Sequence, residues 1–343
     1  MPYADTLIVG QGLAGSLLSM ALLERGEEVL IADDDRSVVC SRVAAGLFHP
    51  IVPRTGGLTW MAEDIFLRIE PFWRQVEMRI QLPLMHAMPM YYHAADEQAA
   101  QHWRQASEAL GTDWLGWQLE PLRAAFTARA GRVDIRAFCE SLAARYQREG
   151  RLIRNPFAWE SVHRQGAYWQ WGGFRFRRIV LCQGYRAAQE GPCGFLPFQL
   201  TKGELLTVRC AHQPVPAAIH KKKAFVIPLG DALYRIGSSY SRFFSDDVPE
   251  EKRKAQLLAQ ALEVHPWLEG AELVSHEAGI RPTTGGRRPF LGEHPELKGV
   301  FVCNGWGSKG AALAGILIPA MLDVLAGRQN PLPETDIAQY WNP

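Results

Sequence analysis

The sequence predicts an α/β fold in which a parallel-sheet domain, assembled from separated stretches of chain, is interleaved with a domain built on an antiparallel sheet. Three observations predict it. The chain opens on a buried strand, a glycine turn and an apolar helix; buried strands followed by glycine return in the middle and near the end; and the stretches between carry short strands of a different pattern. At 343 residues, 47% of them apolar, the chain exceeds the usual single-domain size and can bury a sizeable core. Residues 1–75, 135–195 and 275–343 fall to the first domain, 76–134 and 196–274 to the second.

Taken in order, TLIVG from Thr6 is a buried strand, GLAGSLLSMALLERG an apolar helix closed by Gly26 as a C-terminal glycine, and EEVLIAD a second strand. Leu58 to Trp73 reads as helix, Leu82 to His93 as strand material of another sheet, and Asp96 to Leu110 and Asp134 to Glu149 as further helices. The segment FRRIVLCQGYRAA brings the chain back to the parallel sheet. From Leu196 to about Val274 the strands TKGELLTV, KAFVIPLG and ALYRIGSSYS suit an antiparallel sheet carrying a substrate pocket. KGVFVCNG is a last strand and Ser308 to Ala326 a last helix.

Gly10, Gly12 and Gly15 spell GxGxxG between the first strand and helix. The first glycine allows a tight turn, the second lets backbone approach a pyrophosphate, and the third lets helix and strand pack closely; Leu13 and Ala14 lie between them at the helix start. Asp33 ends the second strand, 23 positions after Gly10, where a ribose-binding acid belongs in a Rossmann-like dinucleotide site. Asp34 and Asp35 follow, so the acid can be displaced by one position; otherwise the extra acids read as a solvated turn. A carboxylate here repels a 2′-phosphate and argues against NADP.

Four segments then choose between NAD and FAD: CSRVAAGLFHP (Cys40 to Pro50), RIVLCQGYRA (Arg178 to Ala187), GIRPTTGGRRPFLG (Gly279 to Gly292) and VCNGWGSKG (Val302 to Gly310). Together, in this order, they resemble the D-amino-acid oxidase superfamily of flavoproteins, which includes glycine and sarcosine oxidases. The resemblance implies FAD in a discontinuous Rossmann-like domain. It places Ser41, Arg42, Ala44, Ala45 and Gly46 in a small-residue loop beside the flavin and Gly184 at a second FAD contact. Asn304, Gly305, Trp306, Gly307, Ser308, Lys309 and Gly310 fall at the turn that opens the last helix toward the flavin. No cysteine aligns with a covalent flavin attachment, so FAD is expected to be non-covalent.

The same resemblance makes Arg281 the arginine that grips a substrate carboxylate, beside the cofactor; a guanidinium fork holds a carboxylate bidentately. Where amino-acid oxidases of this group often carry a tyrosine, this chain has Phe225, which weakens a simple α-amino-acid reading; Tyr240 is a second source of a phenol, and His49 and Arg54 lie near the flavin loop. The expected reaction is oxidation of a C–N bond in a small amino acid or carboxylate-bearing secondary amine by hydride transfer to flavin, with dioxygen or another acceptor reoxidising it. Alternatives are a 2-hydroxy-acid dehydrogenase, a flavin subunit active only in a complex, and a tRNA-modifying oxidoreductase acting on a carboxymethylaminomethyl group. The last is suggested by GSKG at Lys309 and by the basic run His220 to Lys223.

Composition excludes other classes. Lys and Arg total 37 against 36 Asp and Glu, a net charge of +1 that supplies no field for nucleic acid or an anionic membrane. Six scattered cysteines (Cys40, Cys139, Cys182, Cys193, Cys210, Cys303) form no CxxC pair, so no metal site is expected and a reduced, cytoplasmic setting fits. The apolar stretches at Leu7 to Leu23 and Ala311 to Leu325 are broken by glycines, or by Pro319 and Asp323, and read as soluble elements.

Overall fold

The computed structural model describes residues 1–34, 40–119, 122–211 and 217–342. The first half runs β1 (Tyr3–Val9), α1 (Leu13–Glu24), β2 (Val29–Ala32), α2 (Cys40–Val43), β3 (Leu47–Phe48), α3 (Ala62–Ile80), β4 (Met85–Ala87), β5 (Met90–His93), α4 (Glu97–Leu110), β6 (Gly116–Gln118), β7 (Ala124–Thr127), β8 (Gly131–Val133) and α5 (Ile135–Arg148). The second half opens with β9 (Leu152–Ile153), β10 (His163–Gln165), β11 (Tyr168–Trp171), β12 (Phe174–Leu181), β13 (Thr201–Arg209), β14 (Ile219–Lys221), β15 (Phe225–Gly230) and β16 (Leu233–Gly237). It closes with α6 (Glu251–Leu262), β17 (Glu272–Arg281), β18 (Phe290–Glu293), β19 (Val300–Asn304) and α7 (Gly310–Leu325).

The first sheet has a parallel centre in the order β19–β12–β1–β2–β9, with antiparallel β10, β11 and β18 at its margins. Its registers pair Val9 with Ala32 and with Leu181, and Leu181 with Val302, so three strands end level and release Gly10, Asp33 and Cys182 at one edge, while β19 runs on beside them to Asn304. Both faces are covered. Ile8 and Val180 pack with α1, α3, α5 and α7 on one side, while Leu7, Val9 and Ile179 pack against Trp169, Trp171 and Leu196 on the other. Two-sided burial explains why these strands read as continuous apolar runs.

The second sheet has the order β17–β13–β16–β15–β14–β5–β7–β6, antiparallel except where β14 runs parallel to β5. A small third sheet has the order β3–β8–β4. Three details differ from the sequence reading. The stretch Leu82 to His93 divides into β4 and β5, which join different sheets. Residues 272–281 form β17, which is hydrogen-bonded along β13 from Thr201↔Arg281 to Arg209↔Glu272 and so extends the second sheet to Arg281. Helix α6 was not expected in a strand-rich stretch; it covers the sheet with little more than Leu257 and Ala261 buried, too narrow an apolar stripe to stand out among its charges. Among the described residues no helix is long and apolar enough to cross a membrane.

Candidate functional site

A cavity of about 1590 Å³ runs from the level carboxyl edge of the first sheet to the face of the second. Pockets for drug-sized ligands occupy roughly 300–1,000 Å³, so this one accommodates a dinucleotide together with a small molecule. Its position outside the strand ends is where open parallel sheets bind ligands.

At one end the chain makes the turn that the glycines require. Gly10 has φ of 101°, and a Cβ on Gly15 would fall inside the Gly10 carbonyl. Gly15 therefore packs helix on strand and does not line the cavity, whereas Gly10, Gly12, Leu13 and Ala14 do. Gly12 caps α1 without a side-chain bond and the first turn holds no acid, leaving a helix N-terminus open toward an anion. Asp33 turns a carboxylate oxygen to the Gln11 N–H at 2.7 Å, while Asp34 is ion-paired with Arg186 at 2.7 Å. Both acids line the cavity, and Asp35 lies outside the described residues.

Ser41 accepts a hydrogen bond from the Leu13 N–H at 3.0 Å and lines the wall with Ala44, Ala45 and Gly46. Arg42 does not line it; its carbonyl receives Arg136 Nε at 2.7 Å. Asn304 uses its side chain to tie strands together, donating to the Gly184 carbonyl at 3.0 Å and accepting from the Gly305 N–H at 2.7 Å. Gly184, Asn304, Gly305, Trp306, Gly307, Ser308, Lys309 and Gly310 all line the cavity, so α7 is the second helix whose N-terminus opens on it. Gln183 Oε1 and Trp306 Nε1 are buried on this lining without a hydrogen-bond partner. Such atoms are normally satisfied, and a bound polar ligand supplies what they lack.

At the other end the second sheet provides the wall. Arg281, 8% exposed, closes β17 and lays its guanidinium across Gly203 of β13, where a Cβ would overlap it. Its Nη1 donates to the Ser239 carbonyl at 3.4 Å, and its guanidinium carbon stands 4.5 Å from the centre of the Tyr240 ring. Tyr240 sits at the rim, 62% exposed. Desolvation pushes its hydroxyl up, but Arg281, Lys221 and hydrogen bonds with Ser238 and Ser308 outweigh that and leave it below the ordinary phenol value. Phe225 is buried at the start of β15 and also faces the cavity, as does Arg54.

His49 is bonded through Nδ1 to the Tyr92 hydroxyl at 2.9 Å; burial, then Lys309 and Lys221, push it down to about 3, so the ring is neutral near pH 7. Lys309 donates to Thr59 Oγ1 at 2.7 Å and is brought down to about 8 by burial and by Arg287.

Sequence reasoning missed Gly203, Lys221, Gln183 and Arg186. The basic run from His220 proves to be divided by strand alternation. His220 stacks with Tyr91 and His93 on one side, Lys222 and Lys223 pair with Glu263 at 3.2 and 2.9 Å, and Lys221 lines the cavity. The run therefore presents no continuous basic strip of the kind that tracks a nucleic-acid backbone. Among the described residues no group of three or more His, Cys, Asp or Glu is arranged to hold a metal ion.

A family model described as DAO, FAD dependent oxidoreductase, matches residues 5–317. The chain is 31% identical over 145 residues to glycine oxidase of Pseudomonas putida, an alignment covering 42% of this chain and 39% of that enzyme. It is 24% identical over 357 residues to the tRNA 5-methylaminomethyl-2-thiouridine biosynthesis bifunctional protein MnmC of Thiobacillus denitrificans, covering 95% of this chain and only 57% of that protein. Among solved structures, glycine oxidase from Geobacillus kaustophilus superposes with a TM-score of 0.83 at 22% identity, over 100% of both chains, which shows a shared fold.

Proposed function

As this chain belongs to the DAO family of FAD-dependent oxidoreductases, we propose that it oxidises the C–N bond of a small amino acid or of a secondary amine bearing a carboxylate. The observation that carries this reading is Arg281: a buried guanidinium on the cavity wall that, among the described residues, bonds a carbonyl and stands against an aromatic face and has no acidic partner, leaving a fork of donors for a carboxylate. Similarity to glycine oxidase supports the same substrate class.

The residues at the first end fit FAD. Gly10 to Ala14 and the α1 N-terminus are proposed to hold the pyrophosphate, Asp33 the ribose, Ser41 to Gly46 and Gly184 the flanks, and Asn304 to Gly310 the flavin edge. When bound, FAD supplies the two-electron acceptor for the substrate's hydride. Arg281 fixes the carboxylate, and with it the α-carbon, against rotation. Phe225 and the ring of Tyr240 wall the carbon skeleton. Lys221, Lys309 and Arg281 make the site positive, which disfavours a protonated amine and delivers the neutral form that oxidation needs. Cys40 and Cys182 line the cavity, but burial raises the Cys40 thiol, and the Cys303 hydrogen bond and burial raise Cys182. Neither is a ready nucleophile, so the cofactor is proposed to be non-covalent. Six unpaired cysteines support a cytoplasmic location.

The test is anaerobic bleaching of flavin absorbance by a panel of amines, amino acids and 2-hydroxy acids, repeated with Arg281→Ala. Loss of the arginine should cost about 2–5 kcal/mol in kcat/KM for the best carboxylate. Unchanged bleaching by Arg281→Ala defeats the clamp, and faster bleaching by hydroxy acids than by every amine moves the reaction class.

A further inference from the structure

The second end of the cavity gathers cations from three separate elements. Arg281, Lys221 and Lys309 arrive from β17, β14 and the start of α7, and each bonds only neutral oxygens: the Ser239 carbonyl at 3.4 Å, the Lys223 carbonyl at 3.4 Å and the Thr59 hydroxyl at 2.7 Å. Structural cations in this protein are treated differently. Lys202, buried under the same sheet, lies 3.4 Å from both Asp246 and Glu250, and Lys222 and Lys223 share Glu263.

The two unpaired lysines also converge. Both line the cavity together with Arg281 and His49, and both bear on the His49 ring. Half-buried charge without an acidic partner carries a desolvation cost that a ligand's counter-charge offsets. We propose that Lys221 and Lys309 form a second carboxylate subsite, and that the substrate is an amine carrying two carboxylates, one on Arg281 and the other on the lysine pair. This rests on the amine-oxidation reading for its reacting group but not for its binding geometry. The lysines suit the distal carboxylate because an ammonium is a point charge that tolerates several approach angles, whereas the fork of Arg281 fixes the end next to the reacting carbon.

The experiment uses the FAD-loaded protein and titration calorimetry with size-matched, unreactive acids: succinate against butyrate, and glutarate against valerate. At least one dicarboxylate should bind ten times or more tighter than its partner, and Lys221→Met and Lys309→Met should each reduce that ratio severalfold. Dicarboxylates that bind no tighter than their matched monocarboxylates overturn the subsite, whether or not the variants fold. The two readings fail separately. A dicarboxylate preference without flavin bleaching by any amine sinks the reaction and keeps the subsite; bleaching by amino monocarboxylates with no dicarboxylate preference does the reverse.

Discussion

Replacing Gly203 by alanine adds one carbon at the point where Arg281 rests. A Cβ there would lie well inside the 3.0 Å that such atoms keep from Nη1, Nη2 and Cζ of the guanidinium, and ordinary contact begins at 3.4 Å. The side chain must therefore retreat by more than about 1 Å, and displacements of that size from reacting geometry cost on the order of 100-fold in rate. The backbone has no quarrel with alanine, because Gly203 lies within β13, paired with Gly279 of β17, and has no positive φ. The obstacle is the far end of a flexible side chain, so folding and flavin content should stay near those of the parent. The expected result is a fall of about 100-fold in kcat/KM for the best carboxylate substrate, about 2.7 kcal/mol, read by anaerobic stopped-flow reduction. In an Arg281→Ala background the same change should cost almost nothing, since the group it displaces is gone. A Gly203→Ala protein that retains parental kcat/KM, or one whose penalty persists without Arg281, refutes the argument that this glycine exists to seat the arginine.

Two further outcomes follow from the site. Unfolding in denaturant followed by filtration should separate the flavin from the polypeptide completely, and yellow colour remaining with the chain would contradict non-covalent binding. Lys309, at about 8, is charged below that pH and neutral above it; a bound carboxylate restores the charge, so dicarboxylate binding should take up protons and weaken as pH rises from about 7 to 9. The groups given against Lys309, namely Arg287 as a cation, neutral His49 and Thr59, supply no competing acid in that window. Calorimetry in buffers of different ionisation enthalpy measures the uptake, which Lys309→Met should abolish.

The parts of this structure that were legible in the sequence are those specified locally. The β1–α1–β2 unit follows from an apolar run, three glycines and an acid within one short stretch, and Gly15 answers a contact inside that stretch, against Gly10, although Gly10 itself also meets the backbone of Cys182. Arg281 could be named only through resemblance, because nothing in GIRPTT distinguishes a carboxylate clamp from a strand-end ion pair. Gly203 was invisible for a stronger reason: its role is a contact between β13 and β17, strands joined by a long excursion through β14, β15, β16 and α6. Lys221 was hidden by its neighbours. A basic run reads as a solvated loop until strand pairing with Phe225 and Tyr92 turns alternate side chains to opposite faces.

Lys309 shows why these cavity-lining cations are better understood as part of a binding site than as packing. It occupies the N-cap of α7, where the helix already presents its positive end, and no acidic side chain stands in the first turn to compensate. Burial and Arg287 add to the same penalty. Linkage gives its sign: the folded pKa lies below the unfolded value of 10.5, so the unfolded chain binds more protons between about 8 and 10.5 and stability rises with pH across that window as the burial cost is relieved. At neutral pH the protein therefore carries the full penalty of a charged group set against a helix end and other cations. A methionine of similar length would fill the space without it, so packing alone does not account for the ammonium. An anion arriving between Lys309 and Lys221 converts each of these unfavourable terms into attraction, in a site whose donors are already in place before the ligand enters.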